Sequence, residues 1–287
     1  MFEFQVIING LLLGGLYALM AIGMSLIWGV TNVINLAHGA LIMLGAYTTF
    51  WLFKLLNIDP FVSLAISFTT LFVFGFLVQK YIINFVIRAK MFITLLLTFG
   101  LDILITNVAQ TAWTSNFRQT SPAYSANGFS FGFITVPYVR LSAFIISIIL
   151  VFALYIFLKK TKTGQAIRAV SQDIDAARLM GINVAKTFAL TFAIGSGLAG
   201  VAGSMIGVLM PITPQMGGIF TLKSFVVALV GGLGTIFGPL VGGLFLGLAE
   251  TLGSFHLGAK YADIIVFGIL VLTLIVKPTG ILGKNDE

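Results

Sequence analysis

The chain has 287 residues, 59% of them hydrophobic and 9% charged, with a mean hydropathy of +1.08 and a formal net charge of +7. A soluble domain carries about 25% charged residues, so this chain cannot cover its surface with polar groups and reads as an all-α polytopic membrane protein. Cys 0 excludes disulfides, thiolate metal sites and cysteine nucleophiles.

In chain order, Met1-Phe2-Glu3-Phe4-Gln5 lacks the basic n-region of a cleaved signal peptide, so the first apolar stretch is expected to be a retained helix. A spanning helix needs roughly 20 apolar residues. Stretches of that kind fall at 6–28, 31–53, 61–83, 91–112, 138–158, 187–210, 222–252 and 261–277, about eight in all. Two are irregular. The second opens on Thr31-Asn32-Val33-Ile34-Asn35-Leu36-Ala37-His38-Gly39, too polar for lipid contact. The seventh is long and holds Gly231-Gly232-Leu233-Gly234-Thr235-Ile236-Phe237-Gly238-Pro239 near its middle. Gly loosens a helix and Pro interrupts its hydrogen bonds, so one or two segments are expected to be broken or re-entrant. If 222–252 re-enters, the C-terminus lies on the side of the 159–186 interval; if it crosses, the two lie opposite.

Basic residues set the orientation. The interval at about 159–186 holds Lys159, Lys160, Lys162, Arg168, Arg178 and Lys186, and the loop at 80–90 holds Lys80, Arg88 and Lys90. The loop at about 113–137 holds only Arg118, with Trp113, Tyr124 and the turn signals Ser121-Pro122 and Asn127-Gly128. Lys and Arg gather on the cytoplasmic side, so 80–90 and 159–186 face the cytoplasm and 113–137 faces out. Topology thus accounts for the positive charge, and nucleic acid is not a partner. The whole chain, 1–287, reads as one permease-like membrane domain in contact with lipid.

Chemistry-bearing motifs are sparse. No G-x-x-x-x-G-K-[ST] pattern occurs, so ATP is not bound in that way, and neither G-x-S-x-G nor H-E-x-x-H appears. The histidines, His38 and His256, lack metal-ligand spacing. Gly232-x-Gly234-x-x-x-Gly238 has the wrong spacing for a dinucleotide fingerprint and fits close helix packing. No cofactor, metal or catalytic residue is expected, and a membrane enzyme is disfavoured. Ionisable groups in membrane segments are functional suspects. Asp102 meets either a substrate ammonium or pathway water, or is held by Thr98, Thr106 or Asn107 on its own helix. Glu250 and Asp263, with Lys260 close in sequence, suit interfacial charge or a structural pair. His38 either lines a cavity or is a satisfied structural histidine. Asn32, Asn35 and His38 share a face at three-residue spacing. Together with Gly39, Asp102 and Gly231, Gly232 and Gly234, they form the expected solute pathway. Half-helix ends near the bilayer centre could hold a carboxylate, which favours a small zwitterionic or anionic solute.

Longer stretches point to a family. Gly14-Gly15-Leu16-Tyr17-Ala18-Leu19-Met20-Ala21-Ile22-Gly23, Ile34-Asn35-Leu36-Ala37-His38-Gly39-Ala40, Met43-Leu44-Gly45-Ala46-Tyr47, the glycine run from Gly231 to Pro239, and Lys277-Pro278-Thr279-Gly280-Ile281-Leu282-Gly283 closely resemble the permeases of high-affinity branched-chain amino-acid ABC importers, in their LivH-type branch. The likeness covers essentially the whole chain; Lys277 stands where the family often has arginine. It implies the ABC importer permease fold and alternating access in a bacterial cytoplasmic (inner) membrane. The implied partners are a second homologous permease, two cytoplasmic ATPases that hold ATP and Mg, and an extracytoplasmic substrate-binding protein. Such permeases carry a cytoplasmic E-A-A-x-x-x-G loop that docks on the ATPase. Asp175-Ala176-Ala177 followed by Gly181 matches it, with Asp for Glu; the later I-x-L-P element is absent. Small alanines would seat a short helix in a groove, the acid would cap or pair, and glycine would end the helix. Rival readings are the same machinery for urea or short amides, and a stand-alone transporter or channel with Asp102 as proton relay.

Overall fold

The computed structural model describes residues 2–86, 91–125, 127–131 and 134–283. Arg88 and Lys90 of the expected cytoplasmic loop lie outside them. Helix α1 (Phe2–Thr31) is 30 residues long, and an extended stretch follows it before α2 (His38–Leu56). Then come α3 (Pro60–Tyr81) and α4 (Met91–Trp113). Two strands, β1 (Gly128–Phe131) and β2 (Ile134–Pro137), precede α5 (Tyr138–Lys160). The polar interval forms two short helices, α6 (Lys162–Gln172) and α7 (Ile174–Leu179). Helices α8 (Val184–Leu209), α9 (Gly217–Gly231), α10 (Gly238–Leu257) and α11 (Ala262–Val276) complete the bundle.

Among the described residues, nine helical stretches are long and apolar enough to cross a membrane. The ninth arises where 222–252 was expected to be one interrupted segment. Pro214–Gly231 and Gly238–Leu257 each qualify separately, and Gly232 at φ 111° turns the chain between them. A short two-stranded ribbon accompanies the helices of this all-α fold. It is antiparallel, with Phe129 opposite Val136, and lies in the loop expected to face out. Gln5 pins it to α1: its Oε1 accepts from Thr135 N at 2.8 Å and its Nε2 donates to Thr135 O at 2.9 Å.

Close backbone approach organises the interior. A Cβ on Gly14 would sit 2.7 Å from the Gly243 carbonyl oxygen, and one on Gly247 would sit 2.4 Å from Gly14 N. Helices α1 and α10 therefore pack antiparallel with their main chains almost touching, the use small residues serve in lipid. Helix α8 is buried over nearly its whole length and is the axis of the bundle. Large apolar side chains on α4 and α11 point outward instead, as lipid- or partner-facing helices require.

The C-terminal tail settles the parity. Ile281 N donates to Val230 O at 2.8 Å and Leu282 N to Gly231 O at 3.0 Å, which satisfies carbonyls that the end of α9 leaves open. Gly234 approaches Gly29 near the end of α1. A cavity of about 260 Å³ places Gly29, Gly234 and Thr235 beside Arg168 and Ser171 of α6. The tail and the polar interval thus share one end of the bundle. Helices α9 and α10, each part of a stretch long and apolar enough to cross a membrane, run between the two ends, and α11 returns the chain to that end.

Candidate functional site

Three places could carry function: the extended stretch after α1, an ion cluster near the opposite end, and the α6–α7 projection.

The stretch at 32–37 runs back along α1, because His38 lies beside Met20. His38 is fully buried, and its Nε2 donates to the Met20 carbonyl oxygen at 2.9 Å. A carbonyl only accepts, which assigns the proton to Nε2; Nδ1 has no partner. Non-helical backbone survives at this depth only where protein receives it. Two threonines do so. Thr98 of α4 donates to Ile34 O at 3.0 Å and accepts from Leu36 N at 3.3 Å. Thr221 of α9 accepts from Gly39 N at 2.8 Å and donates to Leu36 O at 3.1 Å. A Cβ on Gly39 would lie 1.8 Å from the Gly217 carbonyl oxygen, so only glycine allows this crossing.

Of the expected pathway residues, Asn35, His38 and Gly39 are therefore buried together. Asn35 Oδ1 accepts from Ala37 N at 3.2 Å, and its Nδ2 has no partner. Asn32 is exposed and left-handed at φ 52°, which makes it the turn that reverses the chain. Asp102 lies one turn beyond Thr98 on α4, and its buried Oδ1 has no hydrogen-bond partner. The expected helix-face network does not form: Thr98 bonds Ile34 and Leu95, and Asn107 bonds Ile103. Gly231, Gly232 and Gly234 are elsewhere. They meet Gly238, Gly283 and Gly29, and Gly29 lies nine residues beyond Met20, roughly 13 Å along α1.

The ion cluster was missed in part. Lys223 of α9 lies 3.2 Å from Glu250 of α10 and 3.3 Å from Asp263 of α11. Its Nζ also donates to Tyr17 Oη at 2.9 Å, and Tyr17 in turn donates to Glu250 Oε2. The Lys223 and Glu250 side chains are only 13% and 10% exposed, against 68% for Asp263. Lys260, the expected neighbour, stands over the Tyr261 ring instead. One lysine inside an apolar run, 27 residues before one glutamate, was the available signal. Tyr17 and Lys223 of this cluster floor a cavity of about 400 Å³ whose walls include Leu13, Leu16, Met216, Ile219 and Phe220.

The projection is built from caps. Thr161 Oγ1 accepts from Gly164 N at 2.9 Å to start α6. Asp173 Oδ1 accepts from Asp175 N and Ala176 N, both at 2.9 Å, to start α7. Asp175 therefore pairs rather than caps: it meets Arg178 at 3.3 Å and is 87% exposed. Ala176 is exposed, but Ala177 is buried and packs inward with Ile167 and Val170. Gly181 ends the turn at φ 81°, with Ile182 N donating to Ala177 O at 3.1 Å. This turn presents Leu179 and Met180 outward, 89% and 83% exposed. Neither stood out in the sequence.

A bundle of helices long and apolar enough to span a membrane, with non-helical backbone held inside it and a short helix offered at one end, is the architecture of a polytopic membrane protein. Residues 6–274 match the family model described as branched-chain amino acid transport system / permease component, and the chain belongs to that family. It is similar to the high-affinity branched-chain amino acid transport system permease protein BraD of Pseudomonas aeruginosa, 33% identical over 98% of this chain and 96% of that one. LivH of Escherichia coli K12 is 34% identical, with coverage of 98% and 96%. The probable LivH of Methanocaldococcus jannaschii is 31% identical, with coverage of 99% and 93%. No solved structure matches this chain.

Proposed function

We propose that this chain is one of two membrane subunits of an ABC importer for branched-chain and similar neutral amino acids in a bacterial cytoplasmic membrane. The observation that carries this reading is the α7 projection. It is a capped six-residue helix ending in two exposed apolar side chains, at the end of the bundle where the basic residues gather. A solvated loop has no reason to hold Leu179 and Met180 in water; a groove on a cytoplasmic ATPase gives them one. ATP and Mg belong to two such ATPases, since the sequence has no Walker A motif. A second homologous permease completes the pathway, and an extracytoplasmic binding protein delivers the solute. ATP binding and hydrolysis then bias two global states, inward- and outward-open.

The test is uptake of labelled leucine into proteoliposomes. The chain with its permease and ATPase partners and the binding protein should import leucine only with ATP. Uptake by this chain alone, without ATP, would overturn the reading in favour of a stand-alone transporter. ATP-driven import of urea or acetamide but not leucine would replace the substrate class.

A further inference from the structure

We propose that the cavity floored by Lys223 and Tyr17 is a binding subsite for the zwitterionic head of the transported amino acid. This rests on the permease reading above and assigns residues to it.

The cavity lies toward the end of the bundle opposite the α6–α7 projection. Its wall includes Met210, Pro211 and Thr213 of the link after α8, and that link pairs with the outward loop through Arg118 N donating to Ile212 O at 3.1 Å. Its volume of about 400 Å³ is in the range of about 300–1,000 Å³ usual for small-molecule sites. Its walls are mostly aliphatic and aromatic, with Thr213 and Gln215 as polar members, and its charged lining residue is Lys223, as a head group with a branched hydrocarbon tail requires.

The Lys223 corner is built for exchange. The Lys223 ammonium donates to Tyr17 and Glu250 and is ion-paired with Asp263 at 3.3 Å. Two of these partners are interior; Asp263 is the exposed one, at 68%, and stands beside Lys223 outside the cavity lining. Asp263 is therefore the partner that an incoming carboxylate can replace. The substrate carboxylate moves onto Lys223, and the released Asp263 carboxylate accepts the substrate ammonium. Both ion pairs are kept, and a neutral zwitterion leaves the total charge of the corner unchanged. A simple anion would reach Lys223 only by leaving Asp263 unpaired, and a simple cation would leave the Lys223–Asp263 bridge closed. Charged groups in a membrane interior are costly and mark substrate paths. Exchange also opens the ion pair between Lys223 of α9 and Asp263 of α11.

The experiment measures binding to the purified membrane complex, without the external binding protein, using tritiated leucine. 4-Methylpentanoate, which lacks the ammonium, and 3-methylbutylamine, which lacks the carboxylate, serve as competitors. For the unaltered complex, leucine should bind and both competitors should be weaker by at least about tenfold. Asp263→Asn, at an exposed position that the fold tolerates, should bind leucine about tenfold more weakly and 4-methylpentanoate more tightly. The paired variant Lys223→Gln/Glu250→Gln, which leaves no buried charge unmatched, should lose leucine binding. Lys223→Arg should keep it. Leucine affinity unchanged in both Asp263→Asn and the paired variant would overturn the site and leave a structural strut. Failure of the permease reading is separate: the unaltered complex would then import no amino acid at all.

Discussion

Leu179 and Met180 are the parts of the α6–α7 projection that can be removed without touching the fold, and replacing both with alanine isolates their role. Each is more than four-fifths exposed, so neither stabilises this chain, and thermal unfolding of the double variant should stay within about 0.5 kcal/mol of the parent. Docking is another matter. Burying a Leu or Met side chain contributes about 1.5–3 kcal/mol, and nearly all of that is still available here. Truncation to alanine leaves only the first carbon, so the pair should forfeit about 3–4 kcal/mol, or between two and three powers of ten in affinity for the ATPase. Titration of purified ATPase against the permease in detergent reads this directly, and ATP-driven leucine uptake should fall in parallel. ATPase affinity and uptake within twofold of the parent would refute the assignment of these side chains to the docking surface.

Three further outcomes follow from the same geometry. Gly181→Ala, at φ 81° with open space where a Cβ would go, should cost about 1 kcal/mol of local strain and lower uptake while leaving membrane insertion intact, read by uptake at matched protein levels. Thr221→Val removes the acceptor for Gly39 N and should destabilise the protein by about 1–3 kcal/mol. Thr221→Ser should restore most of that in a thermal melt. Lys223→Met alone strands Glu250 beside Tyr17, at a cost of about 3–5 kcal/mol; adding Glu250→Gln should recover most of the lost melting temperature.

The spanning helices were legible because apolar runs of this length leave no alternative in lipid, and the glycine run from Gly231 correctly marked an interruption. What length could not reveal was its size. A run of apolar residues has no internal sign that it contains two crossings, because Gly232 and Gly234 are compatible with either a kink or a full reversal. The tail decides it by donating from Ile281 and Leu282 to the end of α9, and that contact pairs residues about fifty positions apart. The β1–β2 ribbon escaped for a similar reason: its partner outside the loop is Gln5 on α1. Asn32, Asn35, His38 and Gly39 were legible as a polar break in an apolar sequence, whereas the hydroxyls that make the break tenable, Thr98 and Thr221, look like ordinary residues of apolar helices.

The two charged features differ in how the chain encodes them. The proposed docking motif is local: Asp173 caps, Gly181 terminates, and everything between lies within nine residues, so a short pattern announces it. Even so, the pattern named the scaffold and not the surface. Ala177 faces inward because the helix needs a small residue against Ile167 and Val170, and the outward Leu179 and Met180 carry no motif of their own. The Lys223 cluster is nonlocal, with Tyr17, Lys223, Glu250 and Asp263 drawn from four helices. Sequence proximity pointed Glu250 and Asp263 to Lys260, yet a lysine at the rim gains little from a carboxylate that water already solvates. A lysine inside the bundle must find an anion or remain unpaired in a low dielectric. Burial selects the partner, and burial is what the fold supplies.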